Sequence, residues 1–303
     1  MNGIIIINKE RGFTSFDVVA KLRGICHQKK IGHTGTLDPD ATGVLPVCLG
    51  SATGVCDLLA DKTKEYEATL LLGITTDTQD ITGNVLTETD VNLSEADVIS
   101  CIQNFTGDME QIPPMYSAVK VGGKRLYELA RRGETVERKP RPVTVYSIDV
   151  LKMYLPRVTM RVTCSKGTYI RTLCHDIGQS LGCGGTMESL VRRRVGGFDI
   201  SDALTLAAVQ ELADAGRLND ILIPVEEVFA QYGSIRLRPD SDKLLYNGNP
   251  FRGRDILEKT EAVETGADRY RVFDSCGTFW GVYCSENERG LYRPFKMFIP
   301  DRT

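Results

Sequence analysis

Between His33 and Gly54 a glycine or proline falls every few residues: Gly35, Pro39, Gly43, Pro46, Gly50 and Gly54. Glycine weakens any regular element it interrupts and proline removes a backbone donor, so this stretch is expected to be mostly loop with short strand pieces. The flanking sequence is more regular. Gly3 to Asn8 is an aliphatic run of buried-strand length, and Thr14-x-x-Asp17 with Phe16, Val19, Leu22, Ile25 and Cys26 has the capping signal and spacing of an amphipathic helix. Tyr66 to Leu72 alternates and then runs apolar, as a core strand does, and Ser94-x-x-Asp97 opens a second helix with Val98, Ile99, Ile102 and Phe105 on one face. Val143–Leu155 and Val158–Cys164 form a hairpin pattern joined at Pro156, and Thr168–Leu181 and Thr205–Ala215 have helical patterns, the last stopping at Gly216.

At 303 residues the chain is long enough for about two domains. From about Tyr232 its character changes to short strands and turns. Asn247-Gly248-Asn249-Pro250 and Ser275-Cys276-Gly277 are turn signals, and Tyr270–Phe273 and Thr278–Tyr283 are candidate paired strands. The expected division is therefore 1–231 and 232–303. The longest strictly aliphatic stretch, Ile4–Ile7, is far short of a membrane span and lacks the charged lead of a signal peptide, so a cytoplasmic chain is expected. Nine cysteines without a C-x-x-C suit reduced thiols, and Cys174-His175 has no second ligand pair at zinc-finger spacing, so no metal is expected.

A formal net charge of −3 argues at first against a nucleic-acid partner, but the charges are segregated. Eight basic residues face three acidic ones between Val119 and Arg141, and seven face two between Arg157 and Arg194. The stretch Asp77–Asp97 holds six acidic residues and no Lys or Arg. An acidic protein can thus carry one cationic face, the electrostatic footprint of a phosphate-backbone binder, although solvated faces that merely cluster would look the same.

The densest segment is Gly32-His33-Thr34-Gly35-Thr36-Leu37-Asp38-Pro39-Asp40-Ala41-Thr42-Gly43. It lacks the Gly-Lys-Ser/Thr of a phosphate-binding P-loop, and it offers instead a carboxylate, Asp38, held beside a rigid proline between glycines. By itself Asp38-Pro39 is equally the opening of a turn. The segment resembles the catalytic motif of the TruB family of tRNA pseudouridine synthases. Asn8-Lys9-x-x-Gly12-x-Thr14-Ser15, Lys64-x-Tyr66, Thr76-Asp77-Thr78-x-Asp80, Gln111 to Lys120, Gly122 to Tyr127, Ser165 to Arg171 and Leu190-Val191-Arg192-Arg193 follow in the order that family has them. One departure is Lys9-Glu10, where the family usually has Lys-Pro.

The resemblance implies an α+β chain. A pseudouridine synthase fold with a mixed, largely antiparallel sheet would precede a small C-terminal β module of PUA-like type. It implies an isomerase that converts a uridine in the tRNA T loop, position 55, to pseudouridine without a cofactor, acting as a monomer on the T-arm with no obligatory protein partner. Asp38 would act either as nucleophile toward C1′ or as the base of a glycal route, and Arg171 would keep it ionised. Tyr66 would stack on the flipped uracil and take the C5 proton; His33 would fill the space left by the extruded nucleotide. Tyr169 and Leu190 would line the base pocket, and Lys9 and Lys64 would contact the substrate. Lys120, Lys124, Arg125, Arg192 and Arg193 would hold the RNA backbone, and Arg236, Arg238, Lys243, Arg252 and Arg254 would charge the terminal module. Two other readings fit a base-gripping chain: a noncatalytic protein that folds or escorts tRNA, and an N-glycosidase in which Asp40 activates water.

Overall fold

A computed structural model describes residues 1–261, 268–286 and 290–299. Seven strands form the spine of the larger sheet, in the order Gly3–Lys9, Thr42–Leu49, Gly185–Val195, Lys64–Leu72, Arg157–Cys164, Arg141–Tyr154 and Gly107–Gln111. All neighbours are antiparallel except Thr42–Leu49 and Gly185–Val195, which run parallel through Val191↔Thr42 and Arg192↔Gly43. The sheet is therefore mixed and largely antiparallel, as expected.

Local signals place the helices. Thr14 caps Ser15–Ile25 with a reciprocal capping box to Asp17, burying Val18, Val19 and Leu22. Ser94 caps Glu95–Gln103 and Thr205 caps Leu206–Asp214 in the same manner, each side chain accepting from the amide three residues on. The helix Ile170–Ser180 buries seven residues, including Arg171, Leu173, Cys174 and Ile177, against the sheet.

The glycine- and proline-rich segment departs from expectation, because Thr42–Leu49 is a full eight-residue strand buried over seven of its positions. Pro46 is tolerated because what pairs there is its carbonyl, which accepts from the amide of Thr34 at 3.1 Å. On its other side the strand is only partly covered: Gly185–Val195 reaches Thr42 and Gly43, and Ile31–His33 covers Val47 to Leu49. The gap between those two partners is bridged by side chain and loop rather than by a strand.

The second sheet has six strands between Gly233 and Met297, in which Arg269–Phe273 and Phe279–Glu286 pair as the sequence suggested. Its inner face shares a core with the first sheet: Phe279, Val282 and Phe298 pack in one cluster with Ile4, Ile6, Val44 and Phe229. Deleting the chain from Tyr232 would strip this cover from the strand that follows the Asp38 loop. The terminal unit is thus structurally continuous with the larger one. Among the described residues no helix is long and apolar enough to cross a membrane.

Candidate active site

Asp38 sits in the turn between Ile31–His33 and Thr42–Leu49, and the turn is anchored from below. The Lys9 ammonium, wholly buried, donates to the carbonyls of Pro39 at 3.0 Å, Phe13 at 2.6 Å and Glu10 at 3.0 Å. Ser15 Oγ accepts from the Leu37 amide at 2.9 Å, the Gly12 amide donates to Pro39 O at 2.9 Å, and the Ala41 amide closes the turn on Asp38 O at 3.1 Å. Gly43 ends the turn with φ +103°, and a Cβ there would meet the Arg192 carbonyl oxygen at 2.2 Å, so only glycine fits.

Arg171 projects from the first turn of Ile170–Ser180 and is 5% exposed. Its Nε lies 3.0 Å from Asp38 Oδ2 and its Nη2 donates to Asp38 Oδ1 at 3.3 Å, a two-pronged grip on both carboxylate oxygens. The remaining donors meet Tyr116 O at 2.8 Å, Thr78 O at 3.1 Å and Asp80 Oδ2 at 3.4 Å. Asp80 is itself held by Thr78 Oγ1 at 2.8 Å and the Thr82 amide at 3.0 Å. The guanidinium is thereby locked on a scaffold of two carboxylates and two carbonyls. Asp80 lies in a motif the sequence displays, but nothing in the sequence announces its contact with Arg171, which spans 91 residues.

The Asp38 side chain keeps 40% of its surface exposed, yet the packing around it raises its carboxyl pKa above the ordinary value, the desolvation being reinforced by Asp80 and opposed by Arg171 and Lys9. The exposed edge is open for a ligand, and the gripped edge is not.

Tyr66 lies on Lys64–Leu72 in one apolar cluster with Leu37, Ala41, Ile170 and Leu190, so four separate segments meet beside Asp38. Burial pushes its phenol upward in pKa. Tyr169 immediately precedes the Arg171 helix, and Gln111 clamps it there: Gln111 Oε1 accepts from the Tyr169 amide at 2.9 Å and Nε2 donates to its carbonyl at 3.2 Å. Gln111 is a positioning residue that was visible only as part of a motif. His33 is partly buried with its Nδ1 unpartnered among the described residues, and burial holds its imidazole below its ordinary pKa.

Three expected contacts are corrected by their burial. Lys9 spends its three donors on carbonyls beneath the Asp38 turn, and Lys64, 6% exposed, spends its ammonium on the carbonyls of Ala60 and Lys62, so neither faces a substrate. Desolvation lowers both amines to about 8. Arg192 is 1% exposed, with Nε on Val44 O at 2.7 Å and Nη2 on Gly35 O at 3.2 Å, and cannot serve an RNA backbone at the surface. Asp40 points outward to Arg11 at 3.0 Å, which leaves the glycosidase reading without its water-activating carboxylate in the site.

The remaining cations are outside. Lys120 and Lys124–Arg125 stand exposed on a two-residue hairpin whose turn, Gly122-Gly123, has φ of +58° and +83° as this type of turn requires. Tyr127 follows, flanked by the guanidinium groups of Arg125 and Arg131 at 5.8 and 5.5 Å from its ring. Arg193 is partly exposed, and Arg236, Arg238, Lys243, Arg252 and Arg254 are all exposed on the second unit.

The chain is similar to known proteins over nearly its whole length. Residues 23–170 match the N-terminal domain of TruB family pseudouridylate synthase, and residues 171–230 match the C-terminal domain of tRNA pseudouridylate synthase B. The tRNA pseudouridine synthase B of Lachnoclostridium phytofermentans is 50% identical over 99% of this chain and 100% of its own length. That of Clostridium kluyveri is 44% identical with the same coverage. Among solved structures, a Cbf5-Nop10-Gar1 complex contains a chain that superposes with a TM-score of 0.74 at 27% identity, covering 98% of this chain and 85% of that one. An H/ACA RNP bound to a substrate RNA containing 2'-deoxyuridine gives 0.73 at 25% identity with the same coverage.

Proposed function

Because the chain belongs to the TruB family of tRNA pseudouridine synthases, we propose that its substrate is the T-loop uridine at position 55 and that Asp38 is the residue acting on the ribose. The observation that carries this reading is the two-pronged Arg171 grip, which orients one carboxylate edge and leaves the other open. A binder of polyanions gains nothing from a carboxylate positioned in this way, since it repels phosphates.

The reaction is a rearrangement, so every atom removed from one position is restored at another. The N1–C1′ bond breaks with its electron pair leaving on uracil, and Asp38 meets the deficit at the ribose, at C1′ as nucleophile or at C2′ as base. The uracil turns over and its C5 bonds to C1′. The C5 proton passes to the Tyr66 oxygen, N1 takes up a proton, and neither a redox step nor a cofactor enters the balance. The uridine reaches Asp38 only when flipped out of its loop, and the ring of Tyr66 with Leu190 and Tyr169 supplies the flat, apolar surfaces that hold it. Lys120, Lys124, Arg125 and Arg193 carry the backbone phosphates, and the second unit, from about Tyr232, adds Arg236, Arg238, Lys243, Arg252 and Arg254.

The working form of Asp38 is the carboxylate, and its surroundings raise its pKa, so activity is lost on acidification at a higher pH than an ordinary aspartate would give. Single-turnover rates measured across pH should show this acid limb above the normal aspartate range; a limb at or below that range would contradict the assignment. The function itself is tested by incubating the purified protein with an unmodified tRNA transcript and mapping pseudouridine by carbodiimide. Modification confined to the T-loop position supports the reading. Binding without product would return the chain to a noncatalytic role, and release of free uracil to a glycosidase.

A further inference from the structure

Tyr66 and Arg192 are direct partners across the antiparallel pair formed by Lys64–Leu72 and Gly185–Val195. Residues opposite each other in such a pair project to the same face with Cβ atoms about 5 Å apart. Both side chains are buried, Tyr66 at 9% and Arg192 at 1% exposure. Arg192 is also fixed from its other side: its backbone lies against Gly43, where no Cβ fits, and its guanidinium bridges the uncovered gap beside Thr42–Leu49 by donating to Val44 O and Gly35 O.

A guanidinium taken wholly out of water is costly unless an anion or a hydrogen-bonding network compensates it. Among the described residues Arg192 makes no ion pair with any carboxylate, whereas Arg171, 5% exposed, makes two. Burial lowers the pKa of Arg192 from its ordinary value, and the group that opposes this and favours the charged form is the phenol of Tyr66. The register thus sets a buried cation directly opposite, and on the same face as, the residue to which the C5 proton is assigned.

We propose that Arg192 is a positioning residue for Tyr66: its guanidinium fixes the phenol oxygen and stabilises its ionised form for removal of the C5 proton. This rests on the role given to Tyr66 above. In the proton transfer the Tyr66 oxygen takes the hydrogen from C5 and becomes a neutral phenol, the C–H electron pair returns to the uracil ring, and Arg192 keeps its own protons. Its cationic form has no competitor at physiological pH, so it serves throughout the cycle as a fixed charge.

The surroundings of both groups define which other titrations must be told apart. Tyr66 faces Arg192 from one neighbouring strand, Cys164 from the strand on its other side and Asp38 from the turn; burial, Cys164 and Asp38 raise the phenol, and Arg192 lowers it. Arg192 in turn faces His33, Lys9 and Lys64, and it lowers all three. The two amines lose their charge near pH 8, so a rate profile alone mixes their effect with that of the phenol.

The test follows the C5 proton. Single-turnover rates are measured from neutral to alkaline pH on full-length protein with tRNA transcripts carrying protium or deuterium at uridine C5. Thermal unfolding and tRNA affinity are recorded for each variant. The alkaline rise of the isotope-sensitive step is assigned to Tyr66 by its disappearance in Tyr66→Phe. Arg192→Gln, which keeps hydrogen bonding and removes the charge, should move that rise upward by about one to three pH units and enlarge the isotope effect at neutral pH. Arg192→Lys, a charge without the fork, should fall between wild type and Arg192→Gln. Should Arg192→Gln not fold, Arg192→Lys decides, with an upward displacement of at least about half a unit expected. An unmoved rise in a folded variant, with rate lost equally at every pH, overturns the proposal and makes Arg192 a structural brace. If wild type forms pseudouridine and Tyr66→Phe leaves the rise in place, the role given to Tyr66 fails instead.

Discussion

Asp38→Asn is expected to reduce pseudouridine formation by at least about 10⁴-fold, the scale on which loss of a reacting group is felt. The amide keeps the volume of the carboxylate and one acceptor for Arg171, so the turn anchored by Lys9, Ser15 and Gly12 should survive, and with it the fold. Affinity for tRNA should stay within about tenfold of wild type, because the proposed reading assigns binding to exposed cations and base stacking. The check is single-turnover conversion of a saturating complex beside a binding isotherm. Substantial conversion by verified mutant protein would remove Asp38 from the reaction. Loss of binding in parallel with loss of rate would instead make the carboxylate part of the fold's support.

Tyr66→Phe separates the two duties proposed for one side chain. Stacking needs only the ring and is worth about 1 to 3 kcal/mol per base, whereas taking the C5 proton needs the oxygen. The Phe variant should bind tRNA nearly as well as wild type and turn over at least about a hundredfold more slowly, with a larger isotope effect for uridine deuterated at C5. Tyr66→Leu should be slower still and should also hold the flipped uridine less firmly. Turnover at the wild-type rate by the Phe variant would confine Tyr66 to stacking and leave the proton to another base. The ring keeps its place in the cluster with Leu37, Ala41 and Leu190, but the variant takes the phenol oxygen away from the buried Arg192 opposite, so thermal unfolding is recorded beside the rate to separate chemistry from stability.

Arg171 shows how far a local motif reaches. Ser165-Lys166-Gly167-Thr168-Tyr169-Ile170-Arg171 marks a helix start, and the family resemblance pointed to Asp38 as the partner of its arginine; the structure puts that arginine on both oxygens of Asp38. Asp80 was equally plain in its own motif, yet its hold on Arg171 depends on a loop 91 residues away folding over the helix start. Residues that act through near neighbours are legible from spacing, and those that act across the chain are legible only once the strands are ordered.

The sequence by itself determined the short-range features. The caps at Thr14 and Ser94 and the hairpin joined at Pro156 each depend on contacts a few residues apart. Tertiary structure decided which cations are inside. Lys9, Lys64 and Arg192 look like ligands for RNA in one dimension, because a basic residue in a motif has the same letter whether it faces water or a carbonyl. The run Arg192-Arg193-Arg194 offers no alternation from which to choose an inward side. The choice is made by register: Arg192 falls opposite Tyr66 and Gly43 and closes the gap beside Thr42–Leu49, while Arg194 pairs at the surface with Glu65. That gap exists only because two partner strands stop short of each other on Thr42–Leu49. A buried charge needs compensation from several directions at once, and only non-local pairing of strands supplies it.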